Sequence, residues 1–182
     1  RLLQIANCFQ PDRGQPEHRI RPGRAYPEIR YYAILVAADL PHPRLVEPLA
    51  TTLFDDDQGV SRNALDALER FRSVEGVDEL QHSLRALALA ADADQRSRLL
   101  AMRALAVLRD ERAVEALLPA LAEHSVLGEA AWRVLRMLTA QDFGSNESRW
   151  QAWFERQGTR SRTEWLIDSL DHEDSEIRAI AI

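Results

Sequence analysis

Apolar and polar positions along this chain alternate with a helical period, and the apolar stripes recur at long spacing. Small apolar residues fall 31, 37 and 30 residues apart at Ala33, Ala64, Ala101 and Ala131. Three series of larger apolar residues repeat the spacings 31 and 37: Val46, Val77 and Val114; Leu49, Leu80 and Leu117; Leu53, Leu84 and Leu121. A helix pair of this length cannot bury its apolar face alone and must stack on its neighbours. The pattern therefore predicts an all-α fold of stacked helical hairpins.

Helix signals divide the chain into an arm and about four to five hairpins. Residues 1–26 are rich in proline and glycine and predict an irregular arm, whereas Pro27 suits the first turn of a helix. The predicted repeat units cover 27–54, 58–90, 93–123, 127–157 and an incomplete 161–182, as one domain over 27–182. The chain starts without methionine and stops inside the last helical pattern. We therefore expect it to be a piece of a longer protein.

The last helical pattern begins with a repeat signature. An acidic turn, Asp171 to Ser175, precedes the pair Ile177–Arg178 and then Ala181. This segment resembles the bacterial HEAT repeats first described in phycobilisome lyases, and Glu28-Ile29-Arg30 is a degenerate copy of it. The resemblance covers about residues 27–182 and implies a right-handed α–α superhelix, a HEAT/armadillo-like solenoid. It also implies a non-enzymatic scaffold or adaptor for a protein or peptide, because members of this family rarely act as enzymes.

Composition limits the partners further. All 23 basic residues are arginine, and the net charge is −6 over 182 residues. The first 30 residues hold six arginines and three acids, so the arm is basic and the rest acidic. An acidic body matches a phosphate backbone poorly, so we expect no nucleic acid partner and do not favour a HEAT-like DNA glycosylase. The opposite charges of arm and body suggest a homo-oligomer in which the arm docks on another copy.

Catalytic and metal motifs are missing from the sequence. It has no Gly-x-Ser-x-Gly elbow, no glycine-rich phosphate loop and no lysine. Its five histidines never reach a metal-binding spacing. The lone dyad His172–Glu173 cannot complete the iron site of the HEAT-like deoxyhypusine hydroxylases, and the run Asp55 to Asp57 suits a helix start. We expect no enzymatic activity, no cofactor and no metal.

The cellular location is predicted from the number of cysteines and from the hydropathy of the chain. The single cysteine, Cys8, excludes an internal disulfide framework, and no apolar run reaches the length of a membrane span. These features predict a cytoplasmic protein that does not enter a membrane.

Partner-binding residues are expected on the second helix of each hairpin, because these helices line the concave face of such a solenoid. The polar positions opposite the apolar stripes are Glu47, Thr51, Asp78, His82, Arg85, Arg112, Glu115 and Pro119. Their mixed, mildly acidic character suits a protein or peptide with basic character. The alternative is an ordinary solvated face.

An aromatic group marks the place where the repeat register slips. Trp150, Trp153 and Phe154 share one helix face by their spacing. They either hold a small aromatic ligand, as in a regulatory or lyase-like subunit, or fill the core, and the second interpretation is favoured. Trp132 is predicted in the core because it occupies the register of Ile34, Leu65 and Met102. Whether the preceding loop Asp142-Phe143-Gly144 is functional or only a helix stop is left open.

Overall fold

The computed structural model describes residues 9–11, 20–22, 26–123 and 125–182. Within these ranges the chain forms ten α-helices, three short 3₁₀ helices and one pair of three-residue strands, which confirms the all-α prediction. The helices are α1 Pro27–Asp39, α2 Val46–Leu53, α3 Gln58–Ala67, α4 Val77–Leu89, α5 Gln95–Val107, α6 Ala113–Leu117, α7 Val126–Thr139, α8 Glu147–Gln157, α9 Arg162–Ser169 and α10 Ser175–Ala181. The 3₁₀ helices are Pro43–Leu45, Leu68–Phe71 and Leu118–Ala122.

The predicted arm contains β1 (Phe9–Pro11) and β2 (Ile20–Pro22), which pair antiparallel. Except for these strands and Tyr26, the arm lies outside the described residues. Its proposed docking on another copy stays a prediction.

The chain divides into two compact units, Arg1–Leu80 and Gln81–Ile182. In the first unit, α1 and α2 both pack on α3. In the second unit, α5 packs on α7, the 3₁₀ helix Leu118–Ala122 contacts α7 and α8, and α9 contacts α7 and α10. Helices that are near in sequence therefore pack on one another within each unit. The single repeat domain over 27–182 stays a prediction.

The long-period register marks the core of both units. The four alanines of the first series are buried, three of them completely. The buried members of the other series are Val46, Leu49, Leu53, Val77, Leu84, Val114, Leu117 and Leu121. Leu80 departs from the pattern and is only half-buried, in the first turn of α4. Most residues that recur at this spacing in the sequence are therefore buried in the structure.

The position three residues before the core alanines Ala64 and Ala101 meets the end of the preceding helix. Ser61 Oγ donates a hydrogen bond to the carbonyl oxygen of Leu53 (2.6 Å), and Arg98 Nε donates one to that of Ala88 (3.0 Å). Carbonyls in the last turn of a helix have no partner within the helix. Side chains at this position supply that partner. The equivalent position on α7 is Gly128, where the preceding backbone lies too close for a side chain.

Acidic side chains cap the starts of α3 and α5. Asp57 Oδ1 accepts a hydrogen bond from the Val60 N–H (3.0 Å), and Asp94 Oδ1 accepts one from the Ser97 N–H (3.0 Å). Each satisfies a backbone donor in the first turn. The helix-start interpretation of the acidic run is therefore confirmed for Asp57.

Candidate functional site

The eight residues predicted to bind a partner divide between the two units. In the first unit, Glu47 and Thr51 are exposed on α2, and Asp78 is exposed in the first turn of α4. Thr51 Oγ1 donates to the carbonyl oxygen of Glu47 (3.0 Å), so the hydroxyl serves its own helix. The other five lie in the second unit: His82, Arg85, Arg112, Glu115 and Pro119.

Four of these five surround one open groove of about 300 Å³, which we call the α4–α6 groove. His82 and Arg85 come from α4, Glu115 comes from α6, and Arg112 immediately precedes α6. Small or apolar side chains complete the lining: Ala86, Leu89 and Ala116. Pro119 is exposed on the following 3₁₀ helix and is not part of this lining. The structure therefore brings together polar positions that are separated by about one repeat.

Arg85 has an internal partner. Its guanidinium forms an ion pair with Asp110, whose side chain is 3% exposed. Asp110 Oδ1 also accepts a hydrogen bond from the Arg112 N–H (3.2 Å). Arg85 thus connects α4 to the turn that carries Arg112. Its charge is largely compensated within the protein, and its main role in the groove is to position that turn.

The turn between α5 and α6 is built from backbone hydrogen bonds. Arg109 has a left-handed conformation with φ of 55°, and the Asp110 N–H donates to the carbonyl oxygen of Leu105 (3.1 Å). The Asp110 carbonyl oxygen then accepts from the Ala113 N–H (3.1 Å) at the start of α6. Asp110 therefore closes one helix and opens the next. This turn fixes the start of α6 on one side of the groove.

The exposed side chains of the groove carry both signs of charge. Arg112 and Glu115 lie three residues apart on one helical face, and His82 is exposed on the opposite wall. Leu89, 38% exposed, adds an apolar surface to the same lining. Such a lining suits an apolar side chain of a peptide that is flanked by charged residues. It does not resemble the clustered positive surface that a phosphate backbone requires.

The aromatic residues near the register slip form a packed cluster in the second unit. Trp150 is fully buried and Trp153 is 7% exposed, with their ring centroids 6.2 Å apart. Phe143 lies 4.9 Å from Trp150, and Trp165 lies 5.4 Å from Trp153. Trp150 Nε1 donates to the carbonyl oxygen of Gly144 (2.8 Å). These contacts give the rings a structural role, and an aromatic ligand would have to displace neighbouring side chains to stack on Trp150.

Phe154 is the outer member of the group. It is half-buried, and its ring centroid lies 6.5 Å from that of Trp165. The aromatic-ligand alternative therefore gains no open stacking surface from Trp150 and Trp153, and it stays a prediction.

The core prediction for Trp132 was wrong. Trp132 is half-buried, as is Leu65 at the same register, whereas Ile34 and Met102 are completely buried. Its Nε1 donates to Asp142 Oδ1 (2.8 Å) in the loop after α7. The indole is held at the surface because the loop supplies an acceptor there. The interrupted repeat after α7 was the sequence signal, since an inserted loop can offer contacts that a regular repeat does not have.

Two kinds of feature are absent from the described part of the chain. No group of three or more histidine, cysteine or acidic side chains there is arranged to hold a metal ion. No helix among the described residues combines the length and the apolar character needed to cross a bilayer.

Comparison with known proteins agrees with the fold. Residues 23–87 match the family model of HEAT repeats. No curated protein matches the chain. The match and the consecutive helices confirm the predicted HEAT-like α-solenoid class. The phycobilisome-lyase subtype and a bacterial origin stay predictions.

Proposed function

Because residues 23–87 match HEAT repeats, which generally mediate protein–protein interaction, we propose that this chain is a non-enzymatic adaptor whose α4–α6 groove binds a protein or peptide. The observation that carries the proposal is the convergence of His82, Arg112, Glu115 and Leu89 on one groove. The occupant that fits is a peptide segment with one apolar side chain, flanked by an acidic residue for Arg112 and a basic residue for Glu115.

The absence of catalytic motifs from the sequence supports the adaptor role. Within the groove, Arg85 is engaged by Asp110, and the remaining polar groups do not form a nucleophile and base pair. The proposal includes a cytoplasmic location, supported by the single cysteine in 182 residues.

The test is a selection of peptides from a phage-displayed random library on the full chain. Enriched peptides are then measured against the charge swap Arg112→Glu/Glu115→Arg, which keeps the net charge. Arg85 is left unchanged because its loss would leave Asp110 buried without its partner. The matched control is the swap Glu69→Arg/Arg72→Glu, which has the same three-residue spacing on another surface.

We expect peptides that bind the wild type and the control swap equally and bind the groove swap at least about tenfold more weakly, as for a lost pair of interface charges. Leu89→Asp should weaken binding similarly. Peptides that bind all variants equally, or a selection that enriches no sequence, would contradict the groove proposal.

A further inference from the structure

A second cavity, of about 370 Å³, lies beside Trp132 in the second unit. Its walls come from the region before α7, from α7 itself and from the loop after it. The residues that matter for its chemistry are Glu123, Gly128, Glu129, Trp132, Gly144 and Ser145. None of them lines the α4–α6 groove. It is therefore a separate surface feature.

The interrupted repeat creates this cavity. Ala140 ends α7 in a left-handed conformation with φ of 51°, and the following loop returns towards the helix. Asp142 Oδ1 accepts hydrogen bonds from Trp132 Nε1 (2.8 Å) and from the Gly144 N–H (2.9 Å). One carboxylate oxygen thus fixes both the indole and the loop that forms the opposite wall. Gly128 contributes backbone to the same wall of the cavity.

The walls combine an aromatic ring with acidic groups. Among the described residues that line the cavity, Glu123 and Glu129 are acidic and none is basic. Glu129 lies one helical turn before Trp132, so the two side chains are neighbours on α7. A tryptophan ring attracts cations more strongly than other aromatic rings do. An indole beside carboxylates is therefore suited to a positively charged group.

The carboxylates differ in how firmly they are held. Glu123 Oε1 accepts a hydrogen bond from Arg98 Nη2 (2.7 Å), and the Arg98 side chain is only 11% exposed. Glu129 pairs with Arg133 at 2.6 Å, but both side chains are more than half exposed. Exposed pairs of this kind contribute little stability. Glu129 can therefore exchange Arg133 for a cation from outside at small cost.

We propose that this cavity binds an arginine side chain of a protein partner, with the guanidinium against the Trp132 ring and the Glu129 carboxylate. Arginine fits better than lysine because a planar guanidinium stacks on an aromatic ring and binds a carboxylate through two parallel hydrogen bonds. The inference rests on the proposed function only in that the partner is a protein, since it uses a different surface from the groove.

The test follows the four indole N–H signals of the full chain by NMR during titration with N-acetyl-arginine amide. The matched ligand is N-acetyl-citrulline amide, which has nearly the same shape without the charge. Trp132→Phe assigns the signal. We expect a saturable shift of the Trp132 signal with the arginine compound and almost none with the citrulline compound. Glu129→Gln should weaken binding about threefold or more, whereas Glu155→Gln on α8 should leave it unchanged.

Two outcomes would overturn the proposal: equal shifts with both compounds, or no saturable shift of the Trp132 signal with arginine. The swap Arg112→Glu/Glu115→Arg is measured in parallel and should leave this titration unchanged. Failure of the α4–α6 groove and failure of the arginine site are therefore observed separately.

Discussion

Arg30 and Asp55 form a buried ion pair, with 2.8 Å between Arg30 Nη2 and Asp55 Oδ1 and with side chains that are 7% and 1% exposed. A similar contact recurs two registers later, where Arg98 reaches Glu123, also 25 residues along the chain, although the Glu123 side chain is 38% exposed. In both cases an arginine three residues before a core alanine contacts an acidic residue close to the start of a later helix. Each pair connects one helix to the start of the next helix but one in the same unit, α1 to α3 and α5 to α7.

The Arg30–Asp55 pair is expected to be costly to break. Arg30→Met leaves the Asp55 carboxylate buried without this partner, and we expect the free energy of unfolding to fall by about 3–5 kcal/mol. Urea denaturation followed by circular dichroism measures the change. Arg133→Met, which removes an exposed pair with Glu129, is the control and should cost about 1 kcal/mol or less. Similar losses in both variants would show that burial is not what makes the first pair important.

Gly128 is expected not to tolerate a side chain, because the backbone of the preceding segment lies against it. A Cβ built on it would lie 2.0 Å from the carbonyl oxygen of Glu123, so Gly128→Ala forces the backbone to move. We expect a loss of about 3 kcal/mol or more, at the upper end of the cost of overpacking. Thermal unfolding provides the measurement.

Gly59 is the matched control, because it also lies in the first turn of a helix, α3. A Cβ there would meet only the side chain of Asp57, at 3.2 Å, and alanine favours helix. Gly59→Ala should therefore be close to neutral. If Gly128→Ala were equally neutral, the close approach would not constrain this position.

The regular part of the fold was predictable because it depends on local chemistry and on period. Ala33 and its equivalents are buried at the spacing that the sequence shows, and Pro27 begins α1. The ion-pair partner of Arg30 was not predicted, because the partner lies in a loop whose path depends on tertiary packing. Trp132 was misjudged for the same reason. Its register contains the buried Ile34 and Met102 but also the half-buried Leu65, and its hydrogen bond to Asp142 depends on the path of the loop after α7.

The candidate groove was predictable only in part. Four of the eight proposed residues converge because the register places second helices side by side in the second unit. The internal partner of Arg85 could not be inferred from the helix pattern, since Asp110 belongs to the turn between α5 and α6.

Trp150 is expected to behave as a core residue. It is fully buried between Phe143 and Trp153, so Trp150→Ala should cost about 3–5 kcal/mol in unfolding free energy. Trp150→Phe keeps most of the ring but loses the hydrogen bond to the Gly144 carbonyl, and should cost about 1–3 kcal/mol. Chemical denaturation measures both. A neutral effect of Trp150→Ala would contradict the core role and favour a ligand-binding role for the aromatic cluster.

Trp132 is expected to dominate the solvent-accessible tryptophan fluorescence. Trp150, Trp153 and Trp165 are buried, whereas Trp132 is half-buried and lines an open cavity. The caesium cation quenches exposed indoles and is not repelled by the carboxylates around Trp132, so Trp132→Phe should remove most of the caesium-quenchable emission. Trp165→Phe is the control and should leave the quenchable fraction nearly unchanged. Strong quenching that survives Trp132→Phe would show that the aromatic cluster opens to solvent.

The pKa of Glu164 should report on the hydrogen bonds at the start of α9. The Ser161 N–H donates to its carboxylate (2.8 Å) and the Ser161 hydroxyl does so as well (2.9 Å), with Arg160 nearby, and these groups lower the pKa of Glu164. A lowered pKa in the folded state means that the ionised carboxylate stabilises the helix start above its unfolded pKa, about 4.3 for glutamate. That contribution is lost as the pH falls through the lower folded pKa.

Ser161→Ala removes the hydroxyl but keeps the backbone N–H, which is the larger cause of the shift. We therefore expect the pKa of Glu164 to rise part of the way towards its ordinary value, as measured by carbon-detected NMR titration of the side-chain carboxyl. Asp94, whose pKa is lowered by Ser97 at the start of α5, is the internal control and should keep its pKa in this variant. An unchanged pKa of Glu164 would mean that the hydroxyl does not take part in this helix start in solution, whereas a rise in both would indicate a general loss of helix structure.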